Sequence, residues 1–148
     1  MTEEDRKRFT EMARTTYMVC FMDGCPRRER CLRWLVGQQV PETTDHCICV
    51  NPRSTGAGTE QCPCFRLAQK VTIAKGMTRI FTGDMPKRVE PAVRKKLIAR
   101  YNRTYYFQYR NGKQLIPPDM QQEIRQLFRQ YGWDGEVNFD SYFEDYLW

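Results

Sequence analysis

All seven cysteines of this 148-residue chain fall between Cys20 and Cys64, and that crowding limits what the chain can fold into more than any other feature. A lone cysteine is usually a small buried hydrophobe. Cys20, Cys25 and Cys31 lie within twelve residues, beside a turn signal and a helix start, and act as a group. A chain of this length buries a core without covalent staples, so the cysteines are not needed to hold a minimal fold together. The opening Met1-Thr-Glu-Glu-Asp-Arg-Lys-Arg8 is charged and no apolar leader follows it. No apolar run is long enough to span a bilayer. The expectation is a cytoplasmic protein with no membrane partner. In a reducing compartment, clustered cysteines are metal ligands or redox groups more often than disulfides. An odd count also leaves one thiol unpaired.

Residues 1–16 read as a charged helix or arm, 17–66 as a Cys-rich region, and 67–148 as a helix–hairpin–helix region with an acidic, aromatic tail. Tyr17–Phe21 is a short apolar run that delivers Cys20 from extended chain, and Asp23-Gly24 marks a turn. Pro26 suits the first turn of a helix running to about Gln39. Cys25 would then sit at a helix N-terminus, where partial positive charge favours thiolate. His46–Val50 reads as a strand with Cys47 and Cys49 on one face. The glycine-rich loop from Ser54 to Glu60 lets Cys62-Pro63-Cys64 fold back on the first cluster. Val71, Ile73 and Lys75 alternate as in a strand, and Met77, Ile80 and Phe81 are spaced as in a helix.

Further on, Glu90–Tyr101 carries an apolar helical stripe of Val93, Leu97, Ile98 and Tyr101. Asn111-Gly112 between Thr104–Arg110 and Lys113–Ile116 predicts a β-hairpin. Pro117-Pro118-Asp119 opens a second helix to about Tyr131, stopped by Gly132. Phe139–Trp148 reads as a short helix. The expected fold is one compact α+β domain, with a Cys-rich N-terminal half packed on a helix–β-hairpin–helix C-terminal half.

Four thiolates in tetrahedral array satisfy zinc, and four also hold an iron–sulfur cluster. The spacings are Cys-x4-Cys-x5-Cys and then Cys-x-Cys twice. The paired Cys-x-x-Cys knuckles of common structural zinc sites are absent, which leans the reading toward iron–sulfur. Cys20, Cys25, Cys31 and Cys62 are the expected ligands, with Cys64, Cys47, Cys49 and His46, the only histidine, as further candidates.

The stretch Cys25-Pro-Arg-Arg-Glu-Arg-Cys31-Leu32 resembles one segment of the WhiB-like iron–sulfur regulators, with the preceding cysteine at x4 in place of x2. The resemblance implies that Cys25 and Cys31 are cluster ligands. Over a longer span the chain resembles a family of uncharacterised bacterial proteins. That resemblance is carried by Cys20, Cys25-Pro26, Cys31-Leu32-Arg33, Asn51-Pro52, Cys62-Pro63 with Phe65, Gly76, Thr104-Tyr105-Tyr106, and Phe139–Tyr146 with Trp148. It implies no activity. It does imply that Cys20, Cys25, Cys31 and Cys62 form the principal set, while Cys47, Cys49 and Cys64 are additions in this chain.

Net charge is +6 and unevenly placed. Between Lys87 and Lys113 the only acid is Glu90, whereas from Asp134 onward there are acids and no base. A basic stretch of this kind suggests nucleic acid as a candidate partner, with Arg94, Lys95, Arg100, Arg103 and Arg110 on phosphate and exposed tyrosines stacking on bases. The alternative is a solvated helix face, or a basic face covered by the acidic tail of the same chain. No phosphate-binding glycine loop, dinucleotide fingerprint or metalloprotease motif occurs, and one histidine offers little for a nucleophilic triad. The chain therefore reads as a binding protein rather than an enzyme. Its role would be structural or sensory, around a metal ion or cluster. The alternatives are a nucleic-acid-binding regulator and a metal-free thiol-redox protein with Cys25 reactive.

Overall fold

The computed structural model describes residues 1–148 and is of the α+β class. The chain forms two compact units, Met1–Gln69 with Tyr146–Trp148, and Lys70–Asp145.

In the first unit, helix α1 (Glu3–Ala13) starts at a capping box in which Thr2 and Asp5 satisfy each other's backbone N–H groups. Glu3, Glu4 and Asp5 in its first turn suit the positive end of the helix dipole. Its apolar face meets a core of Phe9, Ala13, Val19, Leu32, Val36 and Tyr146. The extended run expected around Cys20 forms as a parallel bridge between Val19 and Cys49. Val19 N–H donates to the Ile48 carbonyl and Val50 N–H to the Val19 carbonyl, both at 2.9 Å. The expected strand at His46–Val50 amounts to this bridge alone.

The helix expected from Pro26 to Gln39 does not form as one piece. A 3-10 turn, Arg28–Arg30, comes first, and helix α2 is confined to Leu32–Gly37. Between them Cys31 is extended, at φ −100° and ψ 115°. The cause is a long-range ladder: Cys31 bridges Leu67 antiparallel. Leu32 N–H donates to the Arg66 carbonyl at 2.7 Å and Ala68 N–H to the Arg30 carbonyl at 2.9 Å. Cys25 therefore lies in a turn before the 3-10 segment, not at a helix N-terminus.

In the second unit, strand β1 (Lys70–Lys75) is central in a sheet of order β2-β1-β3, with β2 at Leu115–Ile116 and β3 at Ser141–Tyr146. β1 and β2 run antiparallel, with Ala74 opposite Ile116 and Lys75 opposite Leu115. Helices α3 (Val89–Tyr101) and α5 (Pro118–Gln130) stand close to their expected positions. Their stripes bury Val93, Leu97, Ile124 and Phe128. The Gln121 side-chain amide donates to the Thr72 and Ile116 carbonyls, each at 2.9 Å, and ties α5 to the sheet.

The hairpin at Thr104–Ile116 is corrected to a helix, α4 (Arg103–Arg110), followed by the short β2. Asn102, at φ +62°, breaks α3 and caps α4 by accepting the Tyr105 N–H on its side-chain oxygen at 3.0 Å. β2 is only two residues long and pairs with β1 rather than with residues 104–110, which turn as a helix and bury Tyr106 in the core. Asn111-Gly112, with Gly112 at φ +73°, closes this helix rather than a hairpin. The C-terminal segment is likewise β3 rather than a helix, because Asp140 docks it to the end of β1. Asp140 N–H donates to the Gly76 carbonyl at 3.0 Å, and its carboxylate accepts the backbone N–H groups of Thr78 and Arg79. Thr78–Phe81 form bends where helical spacing suggests a turn of helix.

Candidate metal centre

Five cysteines far apart in sequence meet in the first unit. Cys20, Cys25, Cys31, Cys62 and Cys64 line one small cavity. Each arrives on its own piece of backbone. Cys20 follows the Val19 bridge, and its N–H donates to the Arg33 carbonyl at 3.0 Å. Cys25 closes a turn by donating to the Met22 carbonyl at 3.1 Å. Cys31 sits on the ladder with Leu67 and precedes α2. Cys62 opens a turn whose Phe65 N–H returns to the Cys62 carbonyl at 3.2 Å. Gly37 lets the end of α2 press against the Cys20 backbone, since a Cβ there would fall 2.4 Å from the Cys20 carbonyl oxygen.

The remaining wall is apolar and cationic. Met22, Trp34, Val50 and Phe65 supply apolar surface, and Arg28 and Arg33 reach the same space. Arginines also join the cysteine-bearing segments. Arg33 donates from Nε to the Cys64 carbonyl at 2.8 Å and from a terminal nitrogen to the Met18 carbonyl at 2.9 Å. Arg27 donates to the Glu60 carbonyl at 2.6 Å and lies 3.3 Å from the centre of the Phe65 ring. Arg28 donates to the Asp23 carbonyl, and the Trp34 indole N–H to the Asp23 carboxylate at 2.9 Å. Guanidinium groups beside thiolates offset the excess negative charge that four Cys ligands leave on a divalent ion or a cluster.

Electrostatics marks the same cysteines. Burial pushes the Cys20 thiol up, a Met22 backbone hydrogen bond opposes the shift, and Cys31, Cys25 and Cys62 add repulsion in that order. Cys20 thus senses the three partners that the sequence had set beside it. Tyr17 lies near Cys31: burial pushes its hydroxyl up, Arg33 opposes the shift and Cys31 adds to it. The Tyr17 hydroxyl is buried without a hydrogen-bond partner. The thiols share a cavity but are not drawn in tightly, and no three Cys, His, Asp or Glu side chains stand grouped to hold a metal ion.

The other candidates lie elsewhere. Cys47, Cys49 and His46 are exposed and do not line the cavity. The arginines and aromatics of the wall were not singled out as site residues. Arg33 and Phe65, however, were among the residues carrying the family resemblance, and that was the available signal.

The basic residues of the second unit are partly engaged at home. Arg94 pairs with Glu90 four residues before it and lies over the Phe81 ring. Arg100 pairs with Glu123 at 2.8 Å. Arg103 lies over the Phe107 ring and Arg110 bonds the Asn111 side chain at 3.4 Å. Lys95 is exposed and, with Arg94 and Lys87, borders an open concavity of about 650 Å3 beside α3. No helix is long and apolar enough to cross a membrane.

The chain belongs to a family of unknown function, DUF6078, whose profile matches residues 1–148. No curated protein and no solved structure matches it.

Proposed function

We propose that this member of the family binds a metal ion or an iron–sulfur cluster through Cys20, Cys25, Cys31 and Cys62, in a structural or sensory role. The observation that supports the reading is the convergence of five cysteines, from two clusters thirty residues apart, on one small cavity. A hydrophobic core does not need its cysteines gathered, and placing thiols side by side has a repulsive cost once they ionise, visible at Cys20. A bound cation turns that cost into attraction. The resemblance of Cys25–Leu32 to the ligand-bearing stretch of WhiB-like regulators supports the same reading. A cysteine sulfur moves by about 3 Å between χ1 rotamers, so thiols that share a cavity can close on a ligand without moving the backbone.

Elemental analysis of protein purified without oxygen tests this. Near-stoichiometric zinc or iron, lost in Cys20→Ser, Cys25→Ser, Cys31→Ser and Cys62→Ser, is the expected result. Protein that holds neither metal, and takes up neither on reconstitution, refutes the reading.

A further inference from the structure

We infer that Cys47 and Cys49 form a second thiol site, separate from the cavity, that exchanges with an exposed disulfide and closes to an intrachain disulfide. The inference stands apart from the metal-site reading, because neither thiol lines the cavity.

Accessibility separates these two thiols from the other five. Cys47 and Cys49 are exposed, Cys20, Cys25 and Cys31 are buried, and Cys62 and Cys64 are intermediate. The spacing Cys-x-Cys occurs twice, but Cys62 and Cys64 both line the cavity. Residues 42–49 are all exposed, Ile48 included. Exchange requires a thiolate to reach a disulfide sulfur directly, so open access to the attacking thiol is its first condition. Only the pair at 47 and 49 meets that condition with two thiols at once.

The backbone lets the pair close. Val19 N–H donates to the Ile48 carbonyl and Val50 N–H to the Val19 carbonyl, which fixes the chain on both sides of Cys49. No backbone hydrogen bond ties Asp45, His46 or Cys47 to the rest of the chain. Cys47 is thus free to turn toward a held Cys49. Two peptide units keep their Cα atoms at most about 7 Å apart, and a disulfide spans ~4.4–6.8 Å between Cα atoms. A small rotation of the unanchored side is enough. So short a loop constrains the unfolded chain little, so the bond is not a brace. An exposed disulfide is also readily reopened by an incoming thiol, which suits exchange.

In the exchange, one thiol of the pair gives its proton to solvent and its thiolate attacks a sulfur of the substrate disulfide. The substrate S–S bond breaks, one substrate thiolate leaves and is protonated, and a mixed disulfide forms. The second thiol of the pair loses its proton, attacks the protein sulfur of that mixed disulfide and expels the other substrate thiol. Two protein thiols are oxidised and one disulfide is reduced to two thiols.

The test treats the reduced full chain, freed of reductant, with glutathione disulfide in one arm and with insulin, a protein disulfide, in the other. After an acid quench, mass spectrometry reads the tryptic peptide of residues 34–53, whose only cysteines are Cys47 and Cys49. The expected product is that peptide two hydrogens lighter. Cys47→Ser and Cys49→Ser should each instead retain a lasting mixed disulfide on the remaining thiol. Closure with glutathione disulfide alone assigns small disulfides as the substrate, and closure with insulin assigns protein disulfides. A peptide still reduced in both arms overturns the inference. So does a wild-type peptide that carries glutathione on both thiols and never closes. Neither result depends on whether the cavity holds a metal.

Discussion

At Gly37 a side chain has no room, because its Cβ would meet the Cys20 carbonyl oxygen, which is backbone and cannot rotate away. Gly37→Ala should therefore cost about 1–3 kcal/mol and displace Cys20 from the cavity. Urea denaturation and metal content check both effects, and an unchanged midpoint would refute the packing argument. The accessibility of single thiols gives a second prediction. Cys47 and Cys49 are exposed, whereas Cys20, Cys25 and Cys31 are buried. Brief native alkylation read by mass spectrometry should modify Cys47 and Cys49 first. Preferential labelling of Cys25 would favour the reactive-thiol alternative instead. Tyr101 carries a third. Burial, and then a hydrogen bond to Glu123 at 2.9 Å, push its hydroxyl up to about 12 from the usual 10. The folded state therefore resists losing this proton, and the resulting stability is present below pH 10 and lost as pH rises from 10 to about 12. Tyr101→Phe should flatten the fall of unfolding free energy across that window, and an identical slope in both proteins would contradict the assignment.

At the scale of the element, α4 is the instructive case. Thr104–Arg110 is rich in aromatic residues that favour strands, and an Asn-Gly pair follows. Both signals are weak against tertiary packing. Helical spacing buries Tyr106 and sets the Tyr101 and Tyr109 rings 5.6 Å apart, while Tyr105 and Phe107 remain on the exposed side. Asn102 both ends α3 and caps α4. Asn102→Ala removes the cap and puts a Cβ-bearing residue without a polar side chain at φ +62°. A loss of about 1–2 kcal/mol is expected. Asn102→Gly should lose less, since glycine tolerates positive φ. Equal losses in the two variants would mean that the backbone angle is immaterial.

On the scale of the whole molecule, the two ends of the chain belong to one unit. Residues Tyr146–Trp148 complete the core that α1 begins. The Tyr146 hydroxyl donates to the buried Asp5 carboxylate at 2.8 Å. The Phe9 and Tyr146 rings lie 5.1 Å apart, and Trp148 meets Phe9, Tyr17 and Tyr146 edge-on. Tyr17 in turn lies near Cys31, one of the cavity thiols. Tyr146→Phe should cost about 1–3 kcal/mol, the range for leaving a buried charged acceptor short of a donor. Thermal unfolding measures it, and a shift toward higher stability would show that Asp5 is satisfied without this bond.

The periodic helices α3 and α5, strand β1, and the crowding of the cysteines into one region were legible in the sequence. The reason is that each depends on spacing: apolar residues every three to four positions, alternation by two, or thiols too crowded to be core residues. The break of the expected Pro26–Gln39 helix at Cys31, the helical α4, and the strand β3 were decided by the tertiary structure. Each turned on a partner remote in the chain, namely the Arg66–Ala68 ladder at Cys31, the pairing of the short β2 with β1 instead of with residues 104–110, and the Gly76–Arg79 turn that receives Asp140. The gathering of Cys64 and the exclusion of Cys47 and Cys49 also needed three dimensions. One backbone bridge at Val19 leaves Cys49 outside, and one arginine anchors Cys64 at the cavity wall. No local pattern encodes either contact.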